Sequence, residues 1–235
     1  MAILAYLCNK YASEPREPEE PQVSQVSQVP QEPQEPQGPR RQIIGYRMVR
    51  PEEAAAINTL HRPFRDEAFD EQHARYNQLG SGFSMSQAPA GWLTTRRSAW
   101  QCVIEADSEK IKKAQKIWIP ESYSETTEGG ETKTTKLWDY WVSNDDAILK
   151  YIESMNVPEP EKAIRFAIAR DAPDVLQMVI PTKVINDNEL DFSAACWKTK
   201  RELLQHAKEV VDWKSWDIAG SPTPVDDKPS GSSSQ

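Results

Sequence analysis

A segment rich in glycine, serine and aromatic residues is the first place in this sequence where residue types and spacing could do chemistry. It reads LGSGFSMSQAPAGW and spans residues 79–92. Gly80 and Gly82 flank a serine, so the backbone can approach a ligand closely or adopt positive φ. Phe83 and Trp92 could supply flat apolar walls for a planar ligand. The pattern is also typical of a hairpin turn anchored by its aromatics, and these residues alone favour the turn.

An arginine on a predicted strand adds a second candidate group. The run QIIGYRMV is rich in branched and aromatic residues and predicts a strand that carries Arg47. If that strand is central, the guanidinium must meet a partner or an anionic ligand, because an unpaired buried charge is costly. A later run, LQMVIP, predicts another strand, which ends at Pro181.

Familiar catalytic and metal-binding motifs do not occur in the sequence. It has no Gly-x-x-x-x-Gly-Lys-Ser/Thr, no Gly-x-Gly-x-x-Gly that opens a helix, no Gly-x-Ser-x-Gly and no His-Glu-x-x-His. The three histidines are isolated, so we expect solvated or capping roles and no metal site. Two acid pairs, Glu52 with Glu53 and Asp145 with Asp146, stand at predicted helix starts. Compensation of the helix dipole explains them there.

The order of the landmarks resembles that of ADP-ribosyltransferase toxin-like domains, in particular a fungal branch of them. A strand with Tyr-Arg, a Gly-x-Gly-Phe turn with Ser-x-Ser after it, and a late strand ending in Val-Ile-Pro follow one another. The resemblance extends over residues 43–217, although each motif is short. It implies a split antiparallel sheet that grips NAD.

The resemblance assigns a role to individual residues. Arg47 corresponds to the first-strand arginine that holds the phosphate or ribose of the cofactor. Ser84 and Ser86 take positions of a Ser-Thr-Ser motif on the nicotinamide side, with Met85 in place of the threonine. Phe83 and Trp92 would be stacking walls. The expected cofactor-binding residues are Tyr46, Arg47, Gly82, Phe83, Ser84, Ser86 and Trp92.

One feature of these domains has no counterpart at its expected position. Their catalytic glutamate lies shortly before the late strand end, where this chain has Gln177. An amide can hydrogen-bond a ribose, but it supplies no negative charge for an oxocarbenium-like transition state. The candidate catalytic residues are therefore Gln177 and an acid from a neighbouring loop, Glu189 or Asp174. The resemblance leaves open an NAD-dependent ADP-ribosyltransferase and a domain that binds NAD without transfer.

A non-enzymatic protein-interaction module is the rival interpretation. All eight tryptophans lie in residues 43–218, and a tryptophan-rich surface would serve a protein partner as well as a cofactor. The net charge of −8 repels phosphate backbones, so we expect no nucleic-acid partner. We also expect no membrane partner, because no segment approaches the roughly 18 apolar residues of a membrane span.

Cysteine usage predicts a cytoplasmic protein. The three cysteines are widely spaced and indicate no disulfide framework. Cys102 and Cys196 lie in apolar runs, so we expect small buried side chains in a reducing compartment. The N-terminal run MAILAYLC is apolar but lacks a preceding positive region. Export through this run is the alternative.

Composition divides the chain into three parts. Residues 1–42 contain a degenerate Pro/Gln/Glu-rich repeat that predicts a disordered arm, and residues 219–235 predict a disordered tail. Between them, residues 43–218 predict a single domain. Its strands and helices do not alternate regularly, which favours an α+β fold with a mostly antiparallel sheet and peripheral helices.

Local signals place the elements of this domain. PEEAAAINTL predicts a helix, and AWQCVIEAD predicts a buried strand that ends with a helix cap at Asp107. Residues 121–136 predict an exposed hairpin tip or loop. Residues 137–155 predict a helix interrupted near Ser143 and Asn144. Thr199 and Glu202 form a capping-box pattern, and the apolar stripe after it predicts a final helix that reaches Val211.

Overall fold

The computed structural model of the protein describes residues 40–73, 76–91, 98–126, 129–139, 143–170 and 172–222. These residues belong to one compact unit, Gly38–Gln235. Almost all of the predicted N-terminal arm, most of the predicted tail and Trp92 lie outside the described residues.

Nine strands and six α-helices occur in the described residues. The strands are β1 (Arg41–Val49), β2 (Phe83–Ser86), β3 (Trp100–Asp107), β4 (Lys116–Trp118), β5 (Ser122–Thr126), β6 (Thr132–Lys136), β7 (Ile164–Ala169), β8 (Ala172–Ile180) and β9 (Ser193–Trp197). The helices are α1 (Pro51–Leu60), α2 (Glu67–His73), α3 (Ser108–Lys113), α4 (Asp145–Ser154), α5 (Thr182–Asn186) and α6 (Lys200–His206).

Seven strands form one sheet in the order β4-β7-β8-β2-β1-β3-β9, and β5 and β6 form a separate hairpin. Every neighbouring pair in the large sheet is antiparallel except β4 and β7. The short strand β2 pairs with β8 along its whole length but with β1 only between Tyr46 and Ser86. The sheet is therefore nearly divided between β1 and β2. The predicted α+β fold with a mostly antiparallel, split sheet is confirmed.

The two faces of the sheet pack into different clusters. One face carries Phe83 and Met85 of β2 into the main core, which α1, α3, α5 and Trp213 complete. On the opposite face, α4 packs on β4, β7 and β8 through residues such as Ile148. The same face of β1 and β3 packs on α6 through Leu203. Strands β1, β2 and β8, which carry the candidate residues, thus lie in the middle of the sheet.

Other parts of the chain cover both outer strands of the sheet. Asn58 of α1 accepts a hydrogen bond from the backbone N–H of Cys196 at 2.8 Å and donates one to its carbonyl oxygen at 3.0 Å. On β4, the backbone of Ala219 pairs with Lys116 and Trp118. Edge groups that would otherwise face solvent are thereby satisfied. The first contact also fixes the C-terminal half of α1 on β9.

Most local signals in the sequence correspond to real caps and elements. Helix α1 occupies the ten residues that were predicted for it. Asp107 caps α3, Asn144 caps α4, and Thr199 and Glu202 form the predicted capping box of α6. Within residues 121–136, β5 and β6 pair antiparallel from Ser122 with Lys136 to Thr126 with Thr132.

One prediction about the strands is wrong, and one strand was missed. The Ser-x-Ser segment is a strand, not part of a turn, because β8 offers it a full row of backbone partners from Gln177 to Ile180. Strand β9 was not predicted at all. Its sequence, SAACW, has no branched residue, and its pairing with β3 decides its conformation.

Two predictions about helices are also wrong. Helix α6 ends at His206, and Val210 of the predicted stripe is 66% exposed. Beyond His206 the chain is extended, and the backbone of Val211 pairs with Gln87. Val210 and Val211 are β-branched, so they favour the extended conformation over a helix. In the first half of the predicted interrupted helix, the described residues 137–139 are not helical, and Trp138 forms an isolated β-bridge with Ser143.

The expectation of two separate, reduced cysteines is wrong as well. Cys102 on β3 and Cys196 on β9 are directly opposed and form a disulfide. They are 94 residues apart in sequence, and the unpredicted strand β9 brings them together.

None of the described helices is long and apolar enough to cross a membrane.

Candidate functional site

Arg47 lies where β1 and β2 separate. Its Nη1 donates to the carbonyl oxygen of Ser84 at 2.9 Å and to the Oγ of Ser84 at 2.6 Å. Its Cζ lies 4.5 Å from the centroid of the Phe83 ring. The guanidinium therefore satisfies a β2 carbonyl beyond the single point where β1 and β2 pair. The structure brings together three residues that the resemblance placed at one site.

Arg47 is also the first member of a chain of alternating charges. Its Nε donates to Oε1 of Glu53 at 3.2 Å, and the same oxygen lies 3.6 Å from Nη1 of Arg65. Arg65 in turn pairs with Asp70 through Nε, at 3.1 Å, and through Nη2. Thr182 donates its hydroxyl to Asp70. We call Arg47, Glu53, Arg65 and Asp70 the charge chain.

Solvent access changes along the charge chain. The side chain of Glu53 is 22% exposed and that of Arg47 is 14% exposed, whereas Arg65 is 11% and Asp70 only 2% exposed. Burial lowers the pKa of Arg47, and the charge of Glu53 opposes that shift. Solvent therefore reaches Glu53 most easily and Asp70 least, with the two arginines between them.

The sequence indicated only Arg47 in this group. Glu53 was attributed to the helix dipole alone, which is incomplete because it also bridges two arginines. Arg65 and Asp70 were not singled out. A buried arginine on a strand requires a counter-charge. The sequence pattern does not predict that α1 and α2 pack where their acids can supply it. The general requirement was visible in the sequence, and the partners were not.

The glycine turn before β2 is filled by a side chain of the protein itself. Nη1 of Arg165 donates to the carbonyl oxygen of Leu79 at 2.8 Å and to Oδ1 of Asp145 at 2.7 Å. The other carboxylate oxygen accepts from the backbone N–H of Ser81 at 3.3 Å. Gly80 has φ +80°, and a Cβ there would collide with Asp145 and Arg165. The glycine is thus needed for internal packing, and Asp145 does more than compensate a helix dipole.

Gly82, expected at the cofactor, also packs internally. A Cβ at this position would collide with the carbonyl oxygen of Ile180 and with a methyl group of Val179. Phe83 is fully buried, with Arg47 stacked on its ring, so the ring has no exposed face for a ligand.

Ser86 and Gln177 are opposite partners on β2 and β8. Ser86 is 1% exposed, and its Oγ donates to the carbonyl oxygen of Ala88 at 3.0 Å. Gln177 is 8% exposed, and within the described part of the chain its side-chain amide makes no hydrogen bond. The residue at the expected catalytic position is thus close to Ser86 and has unused hydrogen-bonding capacity.

The remaining predicted residues lie apart from the charge chain. Tyr46 is buried, and its hydroxyl donates to the carbonyl oxygen of Glu209 at 2.7 Å. Burial, aided by the charge of Glu209, raises the pKa of Tyr46 to about 12. Glu189 pairs with Lys162 at 3.5 Å, and Asp174 is exposed on β8. Trp92 lies outside the described residues.

The tryptophans do not form an exposed surface in the part of the chain that the structure describes. Trp213 is fully buried, Trp118 is 7% exposed, and the other described tryptophans are partly buried. The exposed large apolar residues are Leu60, Phe64, Phe69, Tyr76, Met155, Leu204 and Val210. The tryptophan-rich surface expected for an interaction module is therefore not found among these residues.

The chemistry available at the site follows from these contacts. Arg47 can bind an anion, and Gln177 can bind a polar group of a ligand by hydrogen bonds. Glu53 is flanked by two guanidinium groups, so its negative charge is already compensated. Among the described residues, no group of three or more His, Cys, Asp or Glu side chains is arranged to hold a metal ion.

A family model described as a family of unknown function (DUF5910) matches residues 77–221, more than half of the chain. The chain belongs to DUF5910. The DUF5910 match includes β2, β8 and the glycine turn, while Arg47 and the rest of the charge chain precede it. No curated protein and no solved structure matches the chain.

Proposed function

We propose that the protein is an ADP-ribosyltransferase-like domain that binds NAD or a related dinucleotide through Arg47 and does not transfer ADP-ribose. The observation that carries the proposal is the bond of Arg47 to Ser84 at the point where the sheet divides. Segments 37 residues apart meet there, as the resemblance requires. A guanidinium with a hydroxyl and a carbonyl beside it is a suitable holder for a diphosphate.

The absence of transfer follows from the charges around the site. An oxocarbenium-like transition state needs an uncompensated negative charge close by. Gln177 is neutral, and Glu53 is bridged to Arg47 and Arg65 at 3.2 and 3.6 Å. Neither side chain supplies that charge. We infer that the site holds the nucleotide and that neither of these two described side chains promotes its cleavage.

Calorimetric titration with NAD tests the binding part of the proposal. We expect wild-type protein to bind NAD and Arg47→Ala to lose at least about tenfold in affinity, because a charge-assisted contact is removed. Arg41→Ala is the matched control, since Arg41 lies on the same strand and pairs with Asp191 at 3.0 Å. It should bind NAD like the wild type. No heat with wild-type protein would reject the proposal.

Release of nicotinamide from NAD tests the second part. Wild-type protein should release none above the buffer blank, whereas Gln177→Glu should release a measurable amount because it restores a carboxylate opposite Ser86. Gln78→Glu is a control, since Gln78 is also buried but bonds to Ile168 and Arg170. Release by the wild type would show that the domain is an active enzyme. Equal behaviour of the two variants would remove Gln177 from the site.

For the cellular compartment, we propose an oxidising one in place of the cytoplasm expected from the sequence. The support is the buried disulfide between Cys102 and Cys196, since such bonds persist mainly outside reducing compartments. Alkylation of protein taken from its native source and unfolded in denaturant without reductant should leave both cysteines unmodified. Modification of both would favour the cytoplasm.

A further inference from the structure

Glu53 occupies a position that suits an oxygen of a bound anion. Its Oε1 lies 3.2 Å from Nε of Arg47 and 3.6 Å from Nη1 of Arg65. Two guanidinium groups that converge on one oxygen are a common arrangement for phosphate recognition. In this structure, a carboxylate of the chain itself fills this position.

The side chain of Glu53 can leave without disturbing the helix that carries it. It belongs to the first turn of α1, while the other end of α1 is held on β9 by Asn58 and by the carbonyl oxygen of His61. Glu53 is also the most exposed member of the charge chain. A change of its side-chain conformation toward solvent therefore opens the position between the arginines.

The two arginines keep other partners when Glu53 leaves. Arg47 retains Ser84, and Arg65 retains Asp70. Both guanidinium groups thus stay in place with donors available for a new anion. Only the anion between them changes.

We propose that Glu53 is an internal competitor for the nucleotide: a phosphate group of the ligand displaces it and is held jointly by Arg47 and Arg65. This inference rests on the proposed function and adds Arg65 as a second phosphate-binding arginine. The affinity for a dinucleotide is then set by an exchange of one anion for another. A ligand without phosphate gains nothing from the removal of Glu53.

Titration of Glu53→Gln with ADP-ribose and with nicotinamide riboside tests the exchange. Loss of the competing charge should tighten ADP-ribose binding by about tenfold, because one charge-assisted pair no longer has to be broken. Binding of nicotinamide riboside, which has no phosphate, should not change. Arg65→Lys, which keeps the charge but not the fork of donors, should weaken ADP-ribose binding.

Glu52→Gln is the matched control. Glu52 is exposed in the same helical turn, so its replacement changes the net charge and the helix dipole in the same way as Glu53→Gln. It should leave the affinity for ADP-ribose within about twofold of the wild type, since an exposed charge is screened by solvent. Thermal unfolding of each variant confirms that it is folded. Should Glu53→Gln not fold, Glu53→Asp, whose shorter side chain reaches the arginines less well, should show the same tightening.

The outcomes separate this inference from the function on which it rests. Wild-type protein that binds ADP-ribose, together with a Glu53→Gln variant that binds it equally or more weakly, would overturn the exchange and leave the proposed function intact. Equal tightening of nicotinamide riboside would also overturn it. Failure of both wild type and Glu53→Gln to bind ADP-ribose would reject the proposed function itself.

Discussion

The charge chain and the glycine turn contain the same kind of ion pair and differ in what else holds its two members. In each, an arginine on a strand of the large sheet pairs with a carboxylate in the first turn of a helix, Arg47 with Glu53 and Arg165 with Asp145. The side chain of Arg165 is 4% exposed and that of Arg47 is 14% exposed, whereas of the two carboxylates Asp145, at 32%, is more exposed than Glu53, at 22%. Arg165 also binds the backbone of the turn itself, whereas Glu53 is shared with a second arginine.

This difference shows which of the two can serve a ligand. At the glycine turn, the carboxylate of Asp145 accepts from a guanidinium and from a backbone N–H, and the guanidinium also binds the carbonyl oxygen of Leu79, so the ion pair ties the chain together. At the charge chain, the carboxylate of Glu53 lies between two arginine side chains, and its departure leaves donors of both arginines available for a ligand. The glycine-rich segment that most resembles a ligand site in the sequence is thus held by internal contacts, and the arginine beside it is the better candidate.

The largest effect is expected from Arg165→Met. It leaves the carbonyl oxygen of Leu79 and the carboxylate of Asp145 without their partner, so the free energy of unfolding should fall by about 3 kcal/mol. Urea denaturation measures this. Lys183→Met is the control, since the exposed pair of Lys183 with Asp187 is screened by solvent and its loss should change the free energy of unfolding far less. Similar values for the two variants would mean that the glycine turn is not fixed by Arg165.

A smaller loss is expected from Gly80→Ala. The new methyl group must displace Asp145 and Arg165 in addition to the strain of a positive φ, so we expect a loss of about 2 kcal/mol. Gly130→Ala is a close control, because Gly130 has the same φ of +80° and no neighbour within 4 Å of an added Cβ. It should lose about 1 kcal/mol from backbone strain alone. Equal losses would contradict the packing role assigned to Gly80.

The smallest change in stability is expected from Arg47→Lys. The lysine keeps the charge beside Glu53 and loses the fork that reaches Ser84, so unfolding should become easier by about 1 kcal/mol. The affinity for NAD should nevertheless fall at least about tenfold, which Arg165→Met should not cause in folded protein. A stability loss as large as that of Arg165→Met, without a specific loss of affinity, would make Arg47 a structural residue like Arg165.

Local signals were enough to predict most of the elements, because they act within a few residues. The caps at Asp107 and Asn144 and the capping box of α6 need only side chains that bond nearby backbone groups. Strand β9 and the disulfide depend on partners far along the chain. Helix α6 stops early because Val211 pairs with Gln87, a contact that no local pattern contains.

The site was predictable in part for the same reason. A charge at Arg47 on a central strand required a partner, and the proximity of Ser84 followed from the resemblance. Which residue is that partner depends on how α1 packs on the sheet. The sequence therefore suggested only that Glu53 compensates the helix dipole. The same holds for Asp145, which was explained by the dipole of α4 but also pairs with Arg165. In both helices, one acid of a pair at the helix start makes the specific contact, and the sequence does not distinguish it from its neighbour.

The most direct test of the central claim follows the side-chain Nε–Hε signals of the arginines by NMR while ADP-ribose is added. Arg47→Lys and Arg165→Lys identify the two signals of interest. We predict that the Arg47 signal shifts with saturation, because its Nε exchanges Glu53 for a phosphate oxygen, and that the Arg165 signal stays in place. A shift of Arg165 with an unmoved Arg47 would place the ligand at the glycine turn. No shift in either would contradict nucleotide binding at this divide of the sheet.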